Sequence, residues 1–367
     1  MSLFNLPNLS PKLPLTPSKA MDAYFMGLAL ALARKGQYTT RPNPAVGCVL
    51  VRDEVVIGEG FHPKAGEPHA EIFALQNASS RGETPKGATA YVTLEPCSHT
   101  GRTPPCCDAL IKAGVARVVV ACLDPNPKVA GQGVIRLRQA GIAVTVGVCQ
   151  DDAIALNQGF LKAMATGLPY VRLKTAISLD GRTAMKDGSS KWITGDQARA
   201  DVQTLRALSG AVITGSGTVI ADDPALSVRS QTLGVPIETI PQPKVVVVDR
   251  RHRLTTDSPY QVFRRSDTLL WRDDLPSLLH ALAGEYQCYD VLVEAGAVLA
   301  GAFIEQGLID ELIIYQAPCL LGHQARAMVE MDITKLCEQK RFSVVGVSQM
   351  GADIKYILRP LHKIRTP

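Results

Sequence analysis

The chain has 367 residues, more than one typical domain holds, so two domains are expected. Hydrophobic residues make up 46% and charged residues 20%, which describes a soluble globular protein, and no apolar run reaches the length of a membrane span. The formal net charge of +5 does not suggest a protein that coats nucleic acid, but it suits anionic small substrates such as phosphate esters. The nine cysteines are scattered along the chain, which favours a reducing, cytoplasmic setting over a disulfide framework.

The first segment, residues 1–20, is predicted to be a flexible extension, because it lacks the basic start and continuous apolar core of a signal peptide. The pattern then predicts a helix over 22–34 and a strand pair over 46–51 and 55–60, joined by a charged turn. Between the helix and the strands lies a Pro-Asn-Pro loop. It is either a plain turn or a rigid support that aims the Asn43 amide at a ligand.

The strongest functional signal is His69 with Glu71, followed by Cys97 and Cys106. One imidazole and two thiolates can hold Zn²⁺ and leave its fourth position for water. The metal lowers the pKa of that water, so a hydroxide nucleophile is available at neutral pH. Glu71 lies near the start of a predicted helix that ends at about residue 78, where it can pass the water's proton to a leaving nitrogen. The pattern is that of a zinc deaminase.

Two features leave the set of zinc ligands open. Nucleic-acid deaminases place two residues between the two cysteines, whereas eight residues separate Cys97 from Cys106. Cys107 is adjacent to Cys106 and could replace it. His99 could complete a purely structural zinc site, which usually has four protein ligands, although such a scaffold has little use for Glu71.

Strands alternate with helices through the rest of this half, which indicates a layered α/β domain. The predicted elements are a strand over 89–94, a helix over 106–113, a strand over 117–122, a helix over 133–140, a strand over 144–148 and a helix over 156–165. A Thr-Gly-Leu-Pro segment at 166–169 is the best linker. It divides the chain into an N-terminal domain, 21–166, and a C-terminal domain, 167–367.

The second half carries weaker signals. A new strand begins at Tyr170, but no glycine-rich dinucleotide fingerprint follows it, since Gly215-Ser216-Gly217 has no third glycine in register. A fully apolar strand over 245–248 indicates a buried parallel sheet, and Arg250 and Arg251 stand at its carboxyl end, where open α/β sheets bind ligands. A strand and a turn of small residues are predicted over 291–296, followed by a helix that ends at Ile304. The N-terminus of such a helix is a suitable binding site for phosphate. Taken singly, each piece also suits an ordinary βα connection.

Several segments together carry a family resemblance. They are Asn43-Pro44-Ala45-Val46-Gly47, Gly66-Glu67-Pro68-His69-Ala70-Glu71, Thr93-Leu94-Glu95-Pro96-Cys97-Ser98-His99, Gly101-Arg102-Thr103-Pro104-Pro105-Cys106 and Asp124-Pro125-Asn126-Pro127. From about Asp22 to its end the chain resembles the bacterial bifunctional deaminase–reductase of riboflavin biosynthesis, in which the long loop between the cysteines is a family feature. The resemblance implies a cytidine-deaminase-like α/β/α layered domain followed by a dihydrofolate-reductase-like α/β domain.

The resemblance also implies roles for residues of the first domain. His69, Cys97 and Cys106 would ligate Zn²⁺ and Glu71 would shuttle protons. A further set would contact the pyrimidine or its phosphate: Asn43, His62 and Arg102.

In the second domain the family binds NADPH without the Rossmann fingerprint. The implied cofactor contacts are Ala176, Trp192, Thr218, Asp222, Gly296, Ala297, Val298, Leu299, Ala300, Gly301 and Ala302. The implied substrate contacts are Ser190, Arg206, Leu226, Arg229 and Glu294, with the arginines binding the phosphate. Arg250 stands where close relatives are expected to have a small hydroxyl residue. We therefore hypothesise that Arg250 or Arg251 pairs with the 2′-phosphate of NADPH.

The function implied is zinc-dependent hydrolytic deamination of a diaminopyrimidine ribosylamino phosphate, followed by NADPH-dependent reduction of the ribosyl to the ribityl side chain. The expected protein is a cytoplasmic homo-oligomer that acts on a small molecule and has no nucleic-acid or membrane partner. The alternative is a nucleotide or RNA deaminase with an appended binding module. That alternative predicts two-residue cysteine spacing and a basic surface, and the sequence shows neither clearly.

Overall fold

The computed structural model describes residues 17–98, 104–126 and 130–361. A five-stranded sheet organises the N-terminal half of these residues and an eight-stranded sheet organises the C-terminal half. Within the described ranges, no helix is both long enough and apolar enough to cross a membrane.

The N-terminal half is a sheet covered by helices on both faces. In chain order its elements are α1 (Pro17–Lys35), β1 (Gly47–Arg52), β2 (Val55–Phe61), α2 (Ala70–Ser80), β3 (Thr89–Val92), α3 (Cys106–Ala113), β4 (Arg117–Val120), α4 (Gln132–Gln139), β5 (Ala143–Val146), α5 (Gln150–Leu156) and α6 (Gln158–Thr166). The strand order is β2-β1-β3-β4-β5. The β1 strand runs antiparallel to both neighbours, whereas β3, β4 and β5 are parallel.

Alternate residues of each strand face opposite layers. On one face Leu50 and Val118 pack in a cluster with the α2 alanines and with α3 and α4. On the other face Val49 and Val119 pack in a cluster with α1 and α5. This arrangement confirms the predicted α/β/α layering of the N-terminal half.

Helix boundaries differ from the prediction in this half. Helix α1 begins at Pro17 rather than at residue 22, so residues 17–20 are helical and not part of a flexible extension. Proline suits the first turn of a helix, since its missing N–H has no intrahelical partner there. Helix α5, which the sequence analysis missed, has only seven residues, too few for a clear period. Residues 1–16 lie outside the described part of the chain.

The C-terminal half is built on the larger sheet. Its elements are β6 (Tyr170–Ile177), β7 (Arg182–Ala184), α7 (Asp196–Leu208), β8 (Ala211–Gly215), α8 (Ser216–Asp222), β9 (Lys244–Val248), β10 (Leu269–Trp271), α9 (Leu275–Gly284), β11 (Asp290–Glu294), α10 (Ala297–Glu305), β12 (Glu311–Gln316), β13 (Arg326–Ala327), β14 (Phe342–Met350) and β15 (Asp353–Pro360). The order is β10-β9-β8-β11-β6-β12-β15-β14, with β7 and β13 forming a separate pair.

The strands from β10 to β12 in this order are parallel, and the hairpin β14–β15 joins them antiparallel through β15. The valines of β9 are buried, as the sequence predicted for a parallel strand. The parallel strands β6, β8, β9 and β11 end on one edge of the sheet, where ligand sites of α/β proteins form. No element was predicted beyond residue 304, so this hairpin was not expected.

Candidate active sites

Three side chains from distant parts of the N-terminal half meet at the starts of two helices. His69 is the N-cap residue of α2, Cys97 lies in the loop after β3, and Cys106 is the first residue of α3. The Nδ1 atom of His69 lies 3.6 Å from Sγ of Cys97 and 3.3 Å from Sγ of Cys106. The three ligand atoms all lie within 4.8 Å of one another.

The cluster fits zinc in both geometry and donor type. Zinc bonds of about 2.3 Å to sulfur and about 2.0 Å to nitrogen, at a tetrahedral angle, place the ligand atoms roughly 3.5 Å apart. The nitrogen–sulfur separations match that spacing. Three protein ligands also leave one position of a tetrahedral ion for water, as in catalytic rather than structural zinc sites.

The structure places Cys106, and not Cys107, beside His69. The Cys107 thiol donates to the carbonyl oxygens of Pro96 at 3.2 Å and Gly133 at 3.7 Å. Consecutive helical residues point in directions about 100° apart, so only one of the two can face the cluster. The other candidate from the sequence, His99, lies outside the described residues, as does Arg102.

The start of α3 also stabilises a thiolate. The backbone N–H of Cys106 donates to Sγ of Cys97 at 3.3 Å, and the positive end of the helix dipole lies nearby. The Cys106 thiol donates to Cys97, which lowers the pKa of Cys97 well below its usual range, and the same contact raises the pKa of Cys106. Cys97 is therefore ready to bind a metal as a thiolate.

Glu71 lies in the first turn of α2 and is only 3% exposed. Burial raises the pKa of Glu71 to about 7. A carboxyl group with a pKa near neutral can both accept and release a proton, which is what a general acid–base residue must do.

His62 and Asn43 lie against this cluster. The Nε2 atom of His62 accepts from Nδ2 of Asn43 at 3.1 Å, and its Nδ1 donates to the carbonyl oxygen of Pro68 at 3.0 Å. The His62 ring packs edge-on against the His69 ring, with centroids 5.4 Å apart. Burial lowers the pKa of His62, which favours the neutral ring that this bonding pattern requires. The fold thus brings two of the three residues predicted to contact the pyrimidine or its phosphate next to the cluster of His69, Cys97 and Cys106.

A second site is a cavity of about 1250 Å³ at the carboxyl ends of β6, β8, β9 and β11. Most of the residues predicted for the second half line it. They are Ala176, Ser190, Trp192, Arg206, Thr218, Asp222, Leu226, Arg229, Arg250, Glu294, Gly296, Ala297, Val298, Leu299 and Ala302.

Two predicted cofactor contacts do not reach this cavity. Ala300 is 2% exposed and belongs to the hydrophobic core. Gly301 faces the backbone of Glu330, where a Cβ atom would lie 1.9 Å from the carbonyl oxygen. Only one face of α10 lines the cavity while the other packs inward, so a cofactor contact of these two residues stays a prediction.

Two predicted substrate contacts pair with each other in the cavity wall. Arg206 Nε and Nη2 donate to the Glu294 oxygens at 2.6 and 3.0 Å, a bidentate pair. Burial raises the pKa of Glu294, but the charge of Arg206 outweighs that effect, so the net pKa is lowered. Each partner is therefore charged at neutral pH.

Lys174 also lines the cavity, although it was not predicted as a site residue. Its Nζ lies 3.9 Å from Oε2 of Glu294. Burial lowers the pKa of Lys174, so this ammonium releases a proton more readily than an exposed one. The available signal was a lysine inside an otherwise largely apolar strand, β6.

Arginines surround one end of the cavity. Arg250 and Arg251 lie exposed after β9. Arg253 donates to Oγ of Ser216, the first residue of α8, at 2.8 Å. Such a group of guanidinium ions attracts phosphate.

Comparisons with known proteins cover both halves. The family model of the cytidine and deoxycytidylate deaminase zinc-binding region matches residues 19–122, and that of the RibD C-terminal domain matches residues 169–356. The chain is 49% identical to the riboflavin biosynthesis protein RibD of Escherichia coli (strain K12), with 91% of this chain and 98% of that protein covered. Identity to the protein of the same name from Haemophilus influenzae is 47%, with 93% and 98% covered.

Solved structures agree with these matches. The Acinetobacter baumannii RibD structure, form 1, is 54% identical, has a TM-score of 0.88, and is matched over 94% of this chain and 99% of its own. A diaminohydroxyphosphoribosylaminopyrimidine deaminase/5-amino-6-(5-phosphoribosylamino)uracil reductase from Thermotoga maritima is 33% identical, has a TM-score of 0.83, and is matched over 94% and 100%.

The cysteine assignment is testable by metal content. We expect Cys106→Ser to lose most of its bound zinc, since the alcohol is a poor ligand for this metal, whereas Cys107→Ser keeps it. Zinc per chain would be measured by atomic emission after dialysis, with circular dichroism as a check of folding. Zinc loss from the Cys107 variant alone would contradict the geometry.

Proposed function

The chain belongs to the family of bifunctional riboflavin biosynthesis proteins, and from this premise we propose which of its residues carry each step. It is a zinc-dependent deaminase and an NADPH-dependent reductase. The matches confirm the predicted cytidine-deaminase-like and dihydrofolate-reductase-like folds. Family membership favours this function over a nucleotide or RNA deaminase.

For the deaminase we propose that His69, Cys97 and Cys106 hold the zinc ion. When bound, zinc supplies a water that is activated at neutral pH. Glu71 takes the proton of that water and delivers it to the departing amino group. What supports these roles is the convergence of the three ligands at one point, with Glu71 buried in the adjoining helical turn.

For the substrate of this step we propose 2,5-diamino-6-ribosylamino-4(3H)-pyrimidinone 5′-phosphate. Asn43 and His62 would orient its ring, because their amide and imidazole are hydrogen-bonded to each other beside the cluster. Arg102, outside the described residues, would contact the same substrate, as the family resemblance implies.

For the reductase we propose that the large cavity binds NADPH and the deaminated substrate. When bound, NADPH would supply a hydride to C1 of the sugar, and this hydride together with a proton would give the open ribityl chain. Arg206 and Arg229 would bind the substrate phosphate, while Ser190, Leu226 and Glu294 shape its site. The cofactor would lie along Ala176, Trp192, Thr218, Asp222 and residues 296–299 with Ala302, all at the cavity wall.

The observation that carries the proposal is the presence of both sites in one chain. Product masses would test it: without NADPH we expect exchange of one amino group for oxygen, and with NADPH a further gain of two hydrogens.

Glu71→Gln should abolish the exchange of the amino group while keeping zinc, and this variant should still reduce deaminated substrate. The outcome that sinks the role of Glu71 is retained deamination in that variant.

We propose that Arg250 or Arg251 recognises the 2′-phosphate of NADPH, as two exposed guanidinium groups at the carboxyl end of β9 suggest. In the Arg250→Ala, Arg251→Ala double variant, we expect the preference for NADPH over NADH to fall by at least about tenfold. The reason is that a hydrogen bond to a charged group contributes roughly 1.5 kcal/mol or more. The matched control is Arg264→Ala, which changes an exposed arginine that does not line the cavity. If the double variant keeps the wild-type ratio of kcat/KM for NADPH to kcat/KM for NADH, neither arginine recognises the 2′-phosphate.

We also propose a homo-oligomer that pairs through β14, the outer strand of the larger sheet. Val344, Val345 and Val347 on this strand are 64%, 49% and 58% exposed. Outer strands with unpaired backbone groups and apolar side chains are normally covered by another element or chain.

Sedimentation velocity would test this pairing. Wild type should sediment as an oligomer, and the Val344→Lys, Val347→Lys double variant as a monomer, since two buried lysines would repel their counterparts. Ile135→Lys, which changes a similarly exposed residue on α4, should leave the state unchanged. A monomeric wild type would contradict the proposal.

We further propose a cytoplasmic enzyme with domains 21–166 and 167–367, without a nucleic-acid or membrane partner. In support, all nine cysteines are free thiols, as a reducing compartment allows. The loop between α6 and β6 lies at the proposed boundary. The net charge of +5 suits a phosphorylated small-molecule substrate.

A further inference from the structure

The segment 41–45, named here the substrate loop, is fixed by contacts with the C-terminal half. Nη1 of Arg41 donates to the carbonyl oxygens of Ala207, at 2.7 Å, and Ser209, and Nη2 donates to that of Pro241 at 2.5 Å. All three acceptors lie beyond residue 167, so the guanidinium ties one half of the chain to the other.

Two of the three acceptors, Ala207 and Ser209, lie at the end of α7, where backbone carbonyls lack intrahelical partners, and the third, Pro241, precedes β9. Ser209 satisfies two of these carbonyls, with its hydroxyl bonded to Leu205 at 2.8 Å and its N–H bonded to Arg206 at 3.1 Å. The carbonyl oxygen of Ala207 instead accepts a hydrogen bond from the guanidinium of Arg41. A cation is favoured at the negative end of a helix dipole, so Arg41 acts as a C-terminal cap supplied by the other half.

Two further contacts hold the region around the loop. Before it, Tyr38 packs in one cluster with Ala207, Val228 and Ile240 of the C-terminal half. At its end, the Asn157 side chain bonds the backbone of Ala45 twice, accepting from its N–H at 2.8 Å and donating to its carbonyl at 2.9 Å.

Asn43 lies between these anchors. Its amide donates to His62, whose ring packs against the zinc ligand His69. The direction of the Asn43 amide therefore depends on a loop that is held at its start by α7 and at its end by the segment joining α5 to α6.

We infer that Arg41 is a positioning residue of the deaminase, through which the C-terminal half holds the substrate loop and Asn43 in the binding geometry. The inference rests on the proposed contact between Asn43 and the pyrimidine. It also means that one helix end serves both sites, because Arg206, in the reductase cavity, immediately precedes Ala207. Loosening Arg41 should weaken substrate binding more than it slows the chemical step, since Glu71 and the zinc ligands stand on other elements.

Deaminase kinetics of the full-length chain would test the inference. For Arg41→Ala we expect KM for the diaminopyrimidine phosphate to rise about tenfold, the effect of losing roughly 1.4 kcal/mol of binding, with kcat within about threefold and zinc retained. Arg41→Lys keeps the charge and should lie between this variant and wild type. The matched control is Arg52→Ala. Arg52 also donates hydrogen bonds to a backbone carbonyl oxygen, that of Thr84, and to the Glu83 carboxylate, but it lies away from the loop.

A second variant guards against misfolding of the first. Asn157→Asp keeps the acceptor for the Ala45 N–H and removes the donor to its carbonyl, so it loosens the same loop from the other end and should also raise KM. The inference is overturned if both variants fold and keep KM within twofold of wild type. It is overturned as well if kcat falls as much as KM rises while zinc is lost, because Arg41 would then support the metal site. Wild-type turnover of the diaminopyrimidine phosphate in the same assay tests the proposed function itself. Failure of that function is therefore distinguished from failure of the inference about Arg41.

Discussion

Parallel strands end at a common edge of their sheet, and both candidate active sites depend on that geometry. In the smaller sheet, β3 and β4 run parallel, and the loop after β3 carries Cys97. In the larger sheet, the ends of β6, β8, β9 and β11 surround the cavity. Helices that begin at these edges add their positive N-terminal ends, which suit thiolates in one site and phosphates in the other.

The loop that carries Cys97 is held by a buried carboxylate. Glu95 accepts backbone hydrogen bonds from Asp124, Gly131 and Val134, at 3.2, 3.0 and 3.2 Å. Gly133 lies so close to this loop that a Cβ atom would be 2.2 Å from the carbonyl oxygen of Pro96. A cysteine on a loop needs such support if it is to bind a metal, because a small displacement of its sulfur would break a tetrahedral arrangement.

The two halves also depend on each other. Lys162 of α6 pairs with Asp310 at 2.6 Å, and Gly159 of the same helix lies against Asp290. Together with the hydrogen bond from Arg41 to the carbonyl oxygen of Ala207, these contacts hold one half of the chain against the other.

The sequence by itself determined the reaction chemistry and most local structure. His69, Glu71 and the cysteines indicated zinc chemistry from residue type and order, and the predicted bounds of α3 match the structure because Gly114 adopts the left-handed conformation that ends a helix. Only the tertiary structure decided that Cys106 faces the cluster, that Ala300 lies in the core and Gly301 against the backbone of Glu330, and that Lys174 lines the cavity. The physical reason is that these outcomes depend on contacts between side chains far apart in the chain, whereas caps, turns and periodicity are local.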